Sequence, residues 1–185
     1  DVSGRVRYIS REFVKDTLVT AGLSDFDLKD DGYKDRLNRI AVNMEEEKRL
    51  CRTYIQALMK GGTVAVNSAG NTDISPPSVE IKAHYQRVLE AWTDLEKASA
   101  AYIVSYKDKD KLFSLLSASD SFLELAHMGV LKISDETRAK MRDIKLFSGI
   151  LIASLLPATM VFYFFINLVI VKPVRVISNV ISGSI

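Results

Sequence analysis

The 185-residue chain is poor in the residues that build most small chemical sites: one cysteine, Cys51, one tryptophan, Trp92, and two histidines, His84 and His127. A lone thiol excludes an internal disulfide, and two imidazoles without cysteine support cannot make a zinc site by themselves. Nine glycines and four prolines among 48% apolar residues exclude a collagen-like chain and a disordered tail. An excess of one charge is missing too. Lys172 and Arg175 are the only charged residues after Lys145, so residues 1–145 carry 23 cations and 23 acids. No basic face is implied, and no nucleic-acid partner is expected.

Strand signals are also lacking. No sustained alternation of apolar and polar residues is found, and Asp31-Gly32 falls between helical stretches rather than between strand-like runs. Catalytic sets are lacking as well. Gly61-Gly62-Thr63 has no following Gly-Lys-Ser/Thr, and Gly4 to Arg7 is no dinucleotide fingerprint. The acids at 45–47 read as a solvated helix face. No enzyme activity, cofactor or metal is expected from this chain.

What is present begins with hydrophobicity. Leu146 to Val171 is a run of 26 residues without a charge, LFSGILIASLLPATMVFYFFINLVIV. About 20 apolar residues cross a bilayer core, so the run is read as a transmembrane helix in contact with lipid. A buried core helix is the competing reading, but such helices rarely stay uncharged for so long. Pro157 is tolerable in lipid, and Asn167 suits a hydrogen bond between helices. The flanking cations do not decide orientation, because Arg138, Lys140, Arg142 and Lys145 are interleaved with acids.

The rest of the chain reads as amphipathic helices. Val2, Val6, Ile9 and Phe13 open a stripe that continues to about Ala21. Leu37, Ile40, Met44, Cys51, Tyr54 and Leu58 follow from Tyr33 to Lys60, with Glu47 in the vacant stripe position. A third stripe runs through Ile81, Tyr85, Val88, Trp92, Leu95, Tyr102 and Tyr106 after Pro76-Pro77, where proline starts helices well. A fourth begins at Lys111 and continues through Ile133, Met141 and Ile144 into the apolar run. The expected fold is all-α, an antiparallel four-helix bundle over 1–145 with a transmembrane helix over 146–171. Residues 61–77 are expected to form a loop, either a mobile cap at one end of the bundle or a ligand loop.

One residue along from the first core stripe lies a second stripe: Ser3, Arg7, Ser10 and Val14. Small residues on both sides of Arg7, with Gly4 at i−3, place its guanidinium where another helix or a planar oxyanion can approach. Arg5 and Arg11 add positive potential. The competing reading pairs Arg7 with an acid of a neighbouring helix.

SGRVRYISRE resembles the P-box of nitrate/nitrite sensor kinases and the opening motif of PilJ-type transducer domains. Gly4, Arg5, Arg7, Ser10 and Arg11 fall at or near motif positions, with Tyr8-Ile9 in place of the usual Met-Leu or Met-Gln. The LMKGG helix end, the Val88…Trp92 helix and LLSASDSFLELAHMGV resemble further segments of that domain. The resemblance implies an extracytoplasmic four-helix bundle working as a homodimer, in which Arg7 and its symmetry mate hold one small anion. Gly4, Ser3, Ser10 and Arg11 complete the implied ligand site. After the apolar run, KPVRVISNVISGSI looks like the first helix of a HAMP linker, with Pro173 followed by Val174, Ile177 and Ile181. That likeness places residues 172–185 in the cytoplasm and 1–145 in the periplasm or outside the cell, with the apolar run in the inner membrane.

A domain so placed calls for a signal or a first membrane span before Asp1. The expected function is a transmembrane receptor for a small oxyanion such as nitrate or nitrite, acting through HAMP on cytoplasmic signalling partners. A membrane adaptor whose helices bind a protein partner is the alternative.

Overall fold

The computed structural model describes residues 2–23, 31–65 and 70–172, with backbone alone at 31 and 33. The chain divides into two compact units, Asp1–Ser134 and Asp135–Ile185. Its four described α-helices are α1 (Val2–Leu23), α2 (Asp31–Lys60), α3 (Val79–Val104) and α4 (Lys109–Ile166). Each covers one of the four stretches in which apolar residues recur at helical spacing. The chain is predominantly α-helical.

Four helices supply one core in the first unit, because each has a single apolar stripe to remove from water. Val6, Ile9 and Phe13 of α1 meet Met44, Cys51 and Ile55 of α2, Tyr85, Val88 and Trp92 of α3, and Leu115, Phe122 and Ala126 of α4. At the centre the Trp92 ring lies 5.1 Å from Phe13 and 5.2 Å from Phe122, tilted against both. Polar pairs register the helices around it. Ser3 meets Tyr85 at 3.2 Å and Thr17 meets Ser99 at 2.8 Å between α1 and α3. Thr20 lies 3.7 Å from the Met44 sulfur between α1 and α2. The Arg52 guanidinium takes both Glu96 oxygens between α2 and α3. Lys132 reaches Glu80, and the His84 Nε2 donates to the Leu125 carbonyl at 2.8 Å, between α3 and α4.

Local chemistry sets the helix ends. The backbone N–H of Ile81 donates to Ser78 Oγ at 3.4 Å, so Ser78 caps α3 directly after the two prolines. At the C-terminus of α2 the chain turns through Gly61 and Gly62, at φ 73° and 115°. A side chain at Gly61 would also come within 3.0 Å of the Ile74 carbonyl and the Pro76 backbone, so glycine is required there.

The segment after those glycines corrects the expectation of a plain loop. Gly62–Ala65 (β1) and Asn71–Ile74 (β2) form an antiparallel two-stranded hairpin, with Gly62 opposite Ile74 and Ala65 opposite Asn71. It is attached to α2 by one buried side chain, Val64, and by the Tyr54 hydroxyl, which donates to the Ala65 carbonyl at 3.1 Å. Thr63 Oγ1 donates to Asp73 across the strands at 2.6 Å.

Within the second unit α4 continues to Ile166 and passes into a π-helical turn, Asn167–Val171. None of the residues from Leu146 to Lys172 is buried. The 26 uncharged residues span about 39 Å of helix, more than the roughly 30 Å of a bilayer core. The helix is long and apolar enough to cross a membrane. Its hydroxyls suit that setting: Ser154 donates to the Leu151 carbonyl and Thr159 to the Leu156 carbonyl, each at 2.8 Å. The HAMP-like residues 173–185 lie outside the described residues.

Gly129 lets the Tyr85 ring of α3 come close against α4. A Cβ there would sit 2.8 Å from both Cζ and the hydroxyl of Tyr85, and 3.3 Å from the His84 ring. Gly129→Ala should therefore destabilise the fold by about 1–3 kcal/mol through overpacking. Thermal melts followed by circular dichroism should show the loss, and pairing the change with Tyr85→Leu should recover part of it by removing the colliding atoms.

Candidate functional site

The expected second stripe of α1 is not an open face. Ser3 and Ser10 are buried, at 5% and 1% exposure, and Val14 is buried beside them. Ser3 Oγ lies against the Tyr85 hydroxyl, whose phenol is pushed up by burial, against the opposing pull of the Ser3 hydrogen bond and the Arg7 charge. Ser10 Oγ turns back to donate to the Arg7 carbonyl at 2.9 Å. Neither serine hydroxyl points into an open cleft beside Arg7. The physical reason is that α1 meets α2, α3 and α4, so its buried arc is wider than one stripe.

Arg7 itself is half-exposed, and Arg11 is exposed one turn further along. Gly4 is half-buried on the preceding turn. Among the described residues no acid pairs with Arg7. Its Nη1 lies 3.4 Å from Nδ1 of His127 on α4. A guanidinium can only donate, so Nδ1 is the accepting atom in this contact. The contact joins residues 120 positions apart, and the α1 motif alone could not indicate it. Arg7 and His127 thus form a polar pair at the surface, with Gly4, Ser3 and Ser10 as close-packed backing. A planar anion can be met there by the guanidinium edge.

A second departure concerns the acids at 45–47. Glu45 and Glu46 behave as a solvated face, paired with Lys48 at 2.5 Å and Arg49 at 2.6 Å. Glu47 does not. It is half-buried between the core positions Met44 and Cys51, and its Oε2 is enclosed without a hydrogen-bond partner. Burial first, then Asp16 and Glu12 of α1, push its carboxyl up to about 7. The vacant stripe position was the signal available in the sequence.

Among the described residues no three His, Cys, Asp or Glu side chains are grouped to hold a metal ion. Cys51 is fully buried, and its thiol is pushed well up by that burial, which removes it as a nucleophile. A groove between α3 and α4 is lined by Ala91, Asp94, Ser114, Ser117 and Ser121 and does not include Arg7. No family model, curated protein or solved structure matches the chain.

The different settings of these side chains separate structural from surface roles. Ser3→Ala should cost about 1 kcal/mol by leaving the Tyr85 hydroxyl without this partner. Arg7→Ala should stay within roughly 0.5 kcal/mol of the parent, as a half-exposed residue without an ion pair. Chemical denaturation of both variants in the same detergent checks the order.

Proposed function

We propose that this chain is the sensory and membrane-spanning part of a receptor that detects a small planar oxyanion, nitrate and nitrite being the first ligands to test. The observation that carries the reading is Arg7: a surface guanidinium on a close-packed turn, unpaired by any acid among the described residues and met only by an imidazole nitrogen of His127. A structural arginine in a charge-balanced domain would be expected to find a carboxylate. The likeness of SGRVRYISRE to the P-box of nitrate/nitrite sensors and PilJ-type domains supports the same reading.

In this proposal residues 1–145 form an antiparallel four-helix bundle. The contacts that support it are ordered along the chain. Ser3 with Tyr85 and Thr17 with Ser99 keep the same offset, as for helices running together. Glu80 with Lys132 and His84 with Leu125 run in opposite senses, as for neighbours in an up-and-down bundle. Two copies associate through α1, so that Arg7 and its symmetry mate share one anion. At about 7 Å two guanidinium groups repel by roughly 2–3 kcal/mol at an effective dielectric near 20. A bridging anion reverses that sign, and this difference in affinity between spread and closed pairs is what shifts the receptor. α4 contributes Leu115, Phe122 and Ala126 to the core and contains most of the apolar run, so one helix belongs to both parts. The HAMP-like residues after Lys172 would receive its movement in the cytoplasm.

Calorimetric titration of the full chain in nanodiscs with nitrate, nitrite and other small oxyanions tests the site. Arg7→Ala should abolish binding, and Arg7→Lys should weaken it at least tenfold, because an ammonium cannot make the two-pronged contact. Equal binding by parent and Arg7→Ala would defeat the assignment. No binding of any anion by the parent would favour the adaptor reading.

Topology is tested separately, in a Cys51→Ala background. A membrane-impermeant thiol reagent should label a cysteine at the exposed Asn71 from outside the cytoplasm and miss one at Asn179. The reverse pattern would overturn the receptor reading.

A further inference from the structure

Glu47 occupies a place that the α2 stripe reserves for apolar side chains, three residues after buried Met44 and four before buried Cys51. Its Oε2 is enclosed and accepts no hydrogen bond. The α1 residues opposite this stretch are Phe13, over which Lys48 lies at 6.0 Å, and Thr20, which contacts Met44. Between those two points α1 carries Lys15 and Asp16, with Glu12 one residue before Phe13.

The charges acting on Glu47 come from these three residues of α1: Asp16 and Glu12 oppose its ionisation and Lys15 favours it. Lys15 is held by Glu12 at 2.6 Å, which leaves little of its charge for Glu47. On α2 itself Lys48 is taken by Glu45 and Arg49 by Glu46. On α3, Glu96 is occupied by Arg52 and Lys97 by Asp94. Lys15, Lys48, Arg49, Arg52 and Lys97 are thus each engaged by a carboxylate other than Glu47.

We propose that Glu47 is a proton-operated latch between α1 and α2. With a proton from solvent, its carboxyl is neutral and its O–H can donate to an α1 carboxylate, Asp16 being the candidate because Glu12 is already engaged by Lys15. Without the proton, a partly desolvated anion faces two acids of α1 and pushes the helices apart. Only the proton moves. The latch concerns α1–α2 packing alone and stands whether or not Arg7 binds an anion.

The direction of the pH dependence follows from linkage. A carboxyl whose proton is held more tightly in the folded than in the unfolded chain stabilises the fold while protonated. Stability from this group is therefore greatest at acid pH, falls as pH rises from the ordinary glutamate range to about 7, and is level above it. His84 and His127 also belong to the first unit, so the contribution of Glu47 has to be isolated by comparison with variants.

The test uses the full chain in nanodiscs, with thermal midpoints measured by circular dichroism from pH 5 to 8.5. The parent midpoint should fall by several degrees from pH 5 to about 7 and level off above it. Glu47→Gln, a permanently neutral mimic, should lose that fall and keep the parent's acid-side value at all pH. Asp16→Asn, which leaves Glu47 in place, should make the fall smaller and bring its levelling point to lower pH. A Glu47→Gln variant that retains the parent's pH dependence overturns the proposal. So does an Asp16→Asn variant whose levelling point is unmoved, and that arm remains informative if Glu47→Gln fails to fold.

Discussion

The contact on which the rest of the first unit depends is the aromatic stack through Trp92. Its indole is fully buried between Phe13 of α1 and Phe122 of α4, and it stands on α3, so one side chain joins three helices. Burying a tryptophan removes about 150–250 Å² from water, worth roughly 4–6 kcal/mol at 25 cal/mol per Å². Its Nε1–H has no hydrogen-bond partner, an omission that costs about 1–3 kcal/mol. The apolar gain exceeds the polar loss, and the structure tolerates an orphan donor at its centre. Small polar groups then fix the register that a greasy contact leaves free, as Thr17 with Ser99 and Ser3 with Tyr85 do.

Around that stack the helices are not equivalent. α1 is the shortest of the four described helices and meets all three others. α4 is the longest and divides its residues between a packed part and a part without buried residues. At Gly129 of α4 the Tyr85 ring of α3 occupies the space that a side chain would fill. Arg7 lies beside this region, where α1 and α4 meet through His127. The proposed site is therefore backed by buried side chains, Ser3 and Ser10.

The helices were legible because each carries a long apolar stripe, and a period of 3.6 sustained over more than twenty residues is the signature of a helix with one buried face. The hairpin was not, because its strands have four residues each and β1 buries only Val64, too short a pattern to alternate. Ser3 and Ser10 were legible as small neighbours of Arg7, but their burial was not. A stripe read from sequence assumes one packing partner, and α1 has three. His127 was invisible as the companion of Arg7, since nothing local links residues 120 positions apart. Glu47 stood out only as a gap in a stripe, and its meaning comes from the acids that α1 brings to it.

The hydroxyl pairs between α1 and α3 also set an order of assembly during synthesis. Each joins residues 82 positions apart, whereas Thr20 and Met44 are separated by only 24. At about 5–20 residues per second, a ribosome makes the shorter link available within roughly 1–5 s and the longer ones only after about 4–16 s. α1 and α2 can pair early, and for the interval that follows Phe13 has no Trp92 to cover it. The nascent chain thus passes through a stage in which an apolar helical pair is exposed, and it ends when the third helix arrives.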